Sequence, residues 1–300
     1  MNKTDVIVTG SNGQLGQELK NCSKRYGFNF KFLPRHKLNI VDEKSIIKAI
    51  VKYRPRAIIN AAAYTNVDNA EKDIQECTEV NSLGPCNLAK ICKENHILLI
   101  HISTDFVFDG FKGSPYIETD ALNPLNTYGI SKLKGEDFIQ SLTDKYIIIR
   151  ASWIFGVHGN NFLKKIIDVS SQRKVLNIVD DQEGCPTSTE SLAICILDLC
   201  SIYFLKTHLP YGIYHFSNSP QTNWYEFAEY FLYKAKEIGL IQELPELVRV
   251  SSEEFNSPSI KPKYSVLSTK KITKTFKFNQ VEWKKEVNRV LKTLYEDNYA

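Results

Sequence analysis

DVIVTGSNGQLG, residues 5–16, decides how this chain is read. Asp5 to Thr9 is a short β-branched run of the kind that forms a buried strand. It ends on Gly10, Gly13 and Gly16, spaced GxxGxxG, and the residues from Gly13 to Ser23 carry a helical pattern. Strand, glycine turn and helix in that order bring backbone N–H groups and a helix N-terminus to one point, where the pyrophosphate of a dinucleotide can bind. Glycine-rich turns also simply join strands to helices, so the fold rests equally on the elements downstream of Ser23.

Short apolar runs alternate with amphipathic stretches through the first half. Strands are expected at 30–33, 57–61, 97–103 and 146–150. Helices are expected at 43–53, with Asp42 as N-cap, at 71–95, with a kink or break at Gly84-Pro85, and at 126–140. This alternation implies right-handed βαβ units and a parallel sheet. The fold class is α/β, a Rossmann-type doubly wound parallel sheet with a smaller, partly interleaved C-terminal substrate domain. Residues 1–152 form the nucleotide-binding domain and 153–300 mainly the second one, with a strand near 212–217 returning to the first. Helices are further expected at 161–171, 188–202, 224–238 and 279–298, and the Ser- and Pro-rich segment 251–268 is expected to line a surface.

Composition narrows the function. The chain has 300 residues, 43% hydrophobic and 24% charged, as soluble globular proteins do. Its net charge of +4 is spread along the sequence, which argues against a nucleic-acid binder. No apolar run is long enough to span a bilayer, and the N-terminus lacks the signature of a signal peptide. Seven cysteines without a CxxC pair read as buried free thiols in a reducing cytoplasm. Six scattered histidines without an HxxxH pair give no metal site.

The second expected strand ends in Leu33-Pro34-Arg35-His36-Lys37. An acidic residue there would hold a ribose 2′-hydroxyl; a cationic cluster suits a 2′-phosphate, so NADPH is expected, with NADH still open. The alternative is an exposed basic turn. Tyr128 and Lys132 stand four apart on the expected helix 126–140 and share a face. Ketone reduction needs a proton donor as hydride reaches carbon, and an adjacent ammonium can lower a phenol's pKa toward neutrality. A chance YxxxK is common in helices. Here, however, Ser103-Thr104-Asp105 ends the strand at 97–103, placing hydroxyls at the carboxyl edge of the sheet, where ligands bind. Strand-end hydroxyls followed by YxxxK resemble the short-chain dehydrogenase/reductase superfamily.

Longer strings carry a closer resemblance. GSNGQLG (10–16), RPRAIINAAAYTNVDNAE (54–71), STDFVFDG (103–110), PLNTYGISK (124–132), RASWIFG (150–156), GNNFLKK (159–165), DDQEGCPTS (180–188) and GIYHFSN (212–218) resemble the dTDP-4-dehydrorhamnose reductase family. The resemblance implies reduction of the C4 keto group of a dTDP-deoxysugar, as in dTDP-rhamnose synthesis for polysaccharides. It implies Thr104, Tyr128 and Lys132 as the catalytic set. The coenzyme would lie along Gly10, Ser11, Asn12, Gly13, Gln14, Leu15 and Gly16. It would continue past Arg35, Asn39, Ile40, Ala62, Ala63 and Tyr64 to Tyr128 and Lys132. The sugar nucleotide would meet Thr65, Val67, Thr104, Asp105, Phe106 and Trp153. Phe106 stands where the family usually has Tyr, and Lys261-Pro262 where it commonly has Arg-Pro; both bear on sugar specificity.

Some family members dimerise through glutamate-bound magnesium. Glu18 and Glu190 are the only hints of that here and read as ordinary surface glutamates, so Mg²⁺ is possible but without support from the sequence, no metal ligand is assigned and a homodimer stays open. Two other readings share the motifs: a non-catalytic regulatory subunit like the methionine adenosyltransferase β subunit, and a nucleotide-sugar epimerase or dehydratase that recycles NAD.

Overall fold

The computed structural model describes residues 4–206 and 209–299. Five strands open the chain: β1 (Val6–Thr9), β2 (Phe30–Leu33), β3 (Ala57–Asn60), β4 (Leu98–Thr104) and β5 (Tyr146–Ala151). With Gly212–Phe216 they make a six-stranded sheet in the order 212–216, β5, β4, β3, β1, β2, every pairing parallel. Each expected strand falls within a residue of its place, and 212–216 does return to the sheet. β1 and β3 are buried at every position, as expected of strands covered on both faces.

The connecting helices are α1 (Gln14–Cys22), α2 (Glu43–Tyr53), α3 (Val67–Ala70), α4 (Ile74–Thr78), α5 (Gly84–Glu94) and α6 (Thr127–Leu142). Asp42 caps α2 as expected, accepting from Lys44 N at 2.9 Å. The expected single helix over 71–95 is corrected. It starts at Ile74, and the break lies before Gly84-Pro85, as a π-helical segment Glu79–Leu83 between α4 and α5. The missing N–H of Pro85 costs nothing there, because Pro85 stands in the first turn of α5.

Two apolar cores cover the sheet. One joins β1, β3, β4 and β5 to α1 and to the helix Thr189–Lys206, through Leu19, Leu192 and Ile196. The other joins the opposite face to α2 and α5, through Ile46, Leu88 and Ile148. A third core is built from later residues only. Leu163, Phe227, Phe231, Trp283 and Val287 pack together from helices Phe162–Ser170, Trp224–Glu237 and Trp283–Tyr299.

The segment 251–268 is a surface strip only in part: 253–256, with Phe255, and Ile260 are exposed, but part of the rest turns inward. Ser259, Ser265, Val266 and Leu267 are buried, and bridges tie Tyr264 to Glu183 and Leu267 to Tyr116. Its hydroxyls are satisfied internally, which is why a Ser- and Pro-rich composition did not keep it in water. All seven cysteines are free and all but Cys86 are buried. No helix among the described residues is long and apolar enough to cross a membrane.

Candidate active site

The sheet brings its carboxyl ends together: Gly10 after β1, Pro34 after β2, Ala61 after β3, Thr104 at the end of β4 and Trp153 after β5. Along the first three lies a cavity of about 530 Å³. It is lined by Gly10, Asn12, Gly13, Pro34, Arg35, His36, Leu38, Asn39, Ile40, Ala61, Ala62, Ala63, Tyr64, Glu76 and Val80. Gly10 has φ +62°, and a Cβ there would stand 2.6 Å from the Ala62 backbone. Only glycine lets β1 turn this tightly beside the end of β3.

Nine of the expected coenzyme residues line this cavity: Gly10, Asn12, Gly13, Arg35, Asn39, Ile40, Ala62, Ala63 and Tyr64. Ser11 is buried beside it. Leu15 sends its side chain into the core, and Gln14 accepts from Asn161 Nδ2 at 3.4 Å. Arg35 is exposed and ion-paired to Glu76 at 3.0 Å. Glu76 is a cavity residue the sequence did not flag, since it arrives from α4 with no motif around it. Tyr64 donates to Asp73 Oδ2 at 2.7 Å, which, together with burial, pushes its phenol up to about 12. A second cavity, lined in part by Ser11, Gln17, Lys20, Lys24 and His158, adjoins the first across Asn12 and Pro34.

α6 is aimed at the end of β4 by its N-terminus. Asn126 caps it, accepting from Gly129 N at 2.8 Å, and the Glu71 carboxylate takes Thr127 N at 2.9 Å and Thr127 Oγ1 at 2.8 Å. Gly129 packs on the Phe106 carbonyl so closely that any Cβ would clash. Tyr128 therefore lies edge-on to the Phe106 ring at 6.0 Å, and Lys132 follows one turn on, buried. Burial raises the Tyr128 phenol well above its ordinary value; the Thr104 hydroxyl lowers it, while Asp105 and Cys77 raise it further. Lys132 directs Nζ to the Ile102 carbonyl at 2.6 Å and to His101 Nε2 at 3.2 Å. Burial brings Lys132 itself down to about 8, against the opposing field of Glu136.

Thr104 donates to Asp105 Oδ1 at 3.0 Å and accepts from Phe106 N at 3.2 Å. Asp105 is buried, its Oδ2 has no hydrogen-bond partner among the described residues, and burial pushes its carboxyl up to about 6. An unpartnered buried carboxylate oxygen beside Tyr128 is a ready acceptor for a ligand hydroxyl.

The tail is tied beside two of the expected sugar-nucleotide residues, Thr65 and Val67, through Asp68. Asp68, next to Val67, accepts from Ser257 at 2.7 Å and Ser259 at 2.5 Å and pairs with Lys261 at 3.2 Å. Asn126 Nδ2 donates to the Ile260 carbonyl at 2.7 Å. Lys261 is thus tied to the 65–68 loop. Trp153 has φ +47° and stacks on Trp224 at 3.6 Å with the rings 9° apart. Trp224, held by Gln182 Oε1 at 3.1 Å, is the partner that the sequence did not single out.

Glu18 and Glu190 are not ordinary surface residues. Glu18 is buried beside Cys22 and Thr189, and Glu190 pairs with Arg289 at 2.9 Å and Arg25 at 3.6 Å. Glu286 is also bound to Arg289 and to Ser188. Arg25 and Arg289 offset the charge of Glu190 and Glu286, and among the described residues no group of three or more ligating side chains is placed to hold a metal ion.

A family model described as RmlD substrate binding domain matches residues 4–296. A dTDP-4-dehydrorhamnose reductase of Aggregatibacter actinomycetemcomitans is 33% identical over 286 residues, covering 95% of this chain and 97% of that protein. The spore coat polysaccharide biosynthesis protein SpsK of Bacillus subtilis is 38% identical, covering 90% of each. Among solved structures, a dTDP-4-dehydrorhamnose reductase from Bacillus anthracis in complex with NADP superposes with a TM-score of 0.89. It is 33% identical and covers 97% of this chain and 99% of that one. With one family model running almost end to end and relatives aligned over nearly their full length, this chain belongs to the dTDP-4-dehydrorhamnose reductase family.

Proposed function

We propose that the chain reduces the C4 keto group of dTDP-4-dehydro-L-rhamnose to the alcohol of dTDP-L-rhamnose with NADPH. The observation that carries this reading is a cavity of about 530 Å³ along the carboxyl ends of β1, β2 and β3, with Thr104 at the carboxyl end of the neighbouring β4 and Tyr128 and Lys132 on α6 beside it. Its support is family membership and a relative of the same name in complex with NADP. Bound NADPH supplies a hydride to the carbonyl carbon; the chain supplies the proton. Tyr128 Oη delivers its proton to the C4 oxygen, and the phenolate left behind is reprotonated from solvent. Thr104 hydrogen-bonds that oxygen once its own proton turns from Asp105, and Lys132 holds ribose hydroxyls and, as ammonium, supports the phenolate. The 10–16 loop and residues 62–64 would hold the coenzyme, and Arg35 would meet its 2′-phosphate.

The sugar nucleotide is held by residues 153–300 together with Thr65, Val67, Asp105 and Phe106, with Trp153 against the sugar. The reaction belongs in the cytoplasm, where both reactants are soluble. Incubation with dTDP-4-keto-6-deoxy-L-mannose and NADPH, followed by product identification, tests this directly. The expected result is one NADPH consumed per dTDP-L-rhamnose formed; product formation without net NADPH consumption would be incompatible with a reductase. Tyr128→Phe should bind NADPH normally by fluorescence and lose roughly 10²–10⁴ in turnover. Near-full turnover in that variant would remove Tyr128 as the acid.

A further inference from the structure

The second cavity, of about 580 Å³, lies between α1 and the edge strand β2. Its charged lining residues are of one sign. Lys20 on α1 and Lys24 in the 3-10 turn Ser23–Arg25 line it, and no aspartate or glutamate does. Neither lysine side chain has an ion pair or hydrogen bond among the described residues. Two ammonium groups four residues apart on one helix face repel each other, and an anion between them replaces that repulsion with attraction.

The walls are fixed by bonds of their own. Gln17 Nε2 donates to the Asn12 carbonyl at 2.9 Å and so takes up an acceptor that would repel an anion. Asn21 Nδ2 and His158 Nε2 lie 2.9 Å apart, which ties the loop after Ile154–Phe155 to α1. Gly159 of that loop has φ +67°, and a Cβ there would stand 2.9 Å from Gln14 Cβ, so the loop sits directly on the first turn of α1. The Ser11 hydroxyl, on the cavity wall, has no hydrogen-bond partner among the described residues and is left to donate to a ligand.

Asn12 and Pro34 line both cavities, so the two meet where the glycine loop faces the end of β2. On the coenzyme side of that seam Arg35 is already paired with Glu76 at 3.0 Å. On the α1 side both ammonium groups are uncompensated, so an anion at the seam meets its unspent positive charge there. Two cations and a hydroxyl match a phosphate group, which carries nearly two negative charges at neutral pH, better than they match a carboxylate. We propose that this cavity is a phosphate site, with Lys20 and Lys24 supplying its charge and Ser11 a hydrogen bond. The phosphate can be the 2′-phosphate of NADPH, shared across the seam with Arg35, or can belong to a separate molecule. The first source rests on the NADPH reading; the site itself does not.

Lys20→Gln with Lys24→Gln removes the charge at two exposed positions and leaves the core untouched. Calorimetry with inorganic phosphate, NADPH and NADH, at constant ionic strength so that screening stays fixed, compares this double variant with the parent. If the 2′-phosphate is the ligand, inorganic phosphate competes with NADPH and not with NADH. The double variant then binds NADPH about tenfold more weakly, since exposed ion pairs contribute at most about fivefold each, and binds NADH unchanged. If a separate molecule supplies the phosphate, inorganic phosphate binds the NADPH complex as well as the free protein. The double variant then loses that binding, with both coenzymes unchanged. Unchanged binding of phosphate and NADPH in the double variant overturns the proposal. An equal loss of NADPH and NADH overturns it too, because it reports a disturbed glycine loop and no recognition of phosphate in this cavity. A parent protein that binds NADH in preference to NADPH counts against the coenzyme reading, and the inorganic-phosphate arm still decides this one.

Discussion

Single side chains carry the selectivity. Arg35 and Glu76 face the same cavity, paired at 3.0 Å and both largely exposed. A 2′-phosphate approaching Arg35 has to displace Glu76 and then tolerate its charge. Arg35→Asp should raise the KM for NADPH far more than that for NADH, and equal changes would show that Arg35 does not discriminate. Glu76→Gln should move preference the other way, toward NADPH. An exposed pair is worth at most ~1 kcal/mol, about fivefold in the ratio of the two KM values. Asp105 gives a pH signature. Its folded carboxyl is raised to about 6 by burial, above its ordinary 3.8. Between those values the folded protein binds more protons than the unfolded one, so stability is greatest below about 4 and falls as pH rises through 6. Asp105→Asn removes that loss. Its melting temperature should exceed that of the parent at pH 8, by an amount corresponding to roughly 1–3 kcal/mol, and the gain should vanish near pH 4. A difference independent of pH would mean the carboxylate is not strained by burial.

At the scale of elements, the position of Tyr128 depends on how α6 begins. Asn126 does two jobs: its Oδ1 caps the helix and its Nδ2 holds the tail at Ile260. Asn126→Ala should cost roughly 1–3 kcal/mol in denaturation, a cap plus one buried bond. It should also raise the KM for the sugar nucleotide more than that for NADPH, because the tail is tied to the 65–68 loop through Asp68 and not to the glycine loop. Equal changes in both KM values would place the tail elsewhere in function. The helix was legible, though its sequence pattern puts Asn126 inside it rather than at its cap. The tail was not. Local composition reports the solvent preference of a segment, whereas Ser259 and 265–267 are buried by partners far away in sequence, such as Asp68, Tyr116 and Glu183. The π segment at 79–83 was hidden for a related reason. Gly84-Pro85 marks an irregularity, but the turn that absorbs it precedes the glycine and is shaped by packing of Asn81 and Ser82 on Ser131.

For the whole molecule, the parallel sheet and its order of use were legible because strand pattern and glycine loop are local and repeat along the chain. What joins the layers was not, because it is built from polar residues that look like surface until they meet. Glu136 and Arg150 show this. Each side chain is fully buried, and they join α6 to β5 with Arg150 Nη2 at 2.6 Å from Glu136 Oε2. Ser103 of β4 adds a bond at 2.5 Å, and His215 of the strand 212–216 lies 3.4 Å from Arg150 Nη1. His215 Nδ1 in turn reaches the Tyr116 carbonyl at 3.1 Å. Three strands, α6 and the loop over them thus share one ion pair. Glu136→Gln leaves Arg150 charged in a site without water, and removing one partner of a buried pair costs about 3–5 kcal/mol. The denaturation midpoint should fall accordingly. Replacing both, as Glu136→Leu with Arg150→Met, removes the stranded charge along with its partner and should recover most of that loss. The catalytic consequence comes from position: Glu136 is the carboxylate that favours the Lys132 ammonium. Glu136→Gln should therefore move the alkaline limb of kcat/KM, where the ammonium supporting Tyr128 is lost, downward. A stability loss with an unmoved limb would make the pair structural alone.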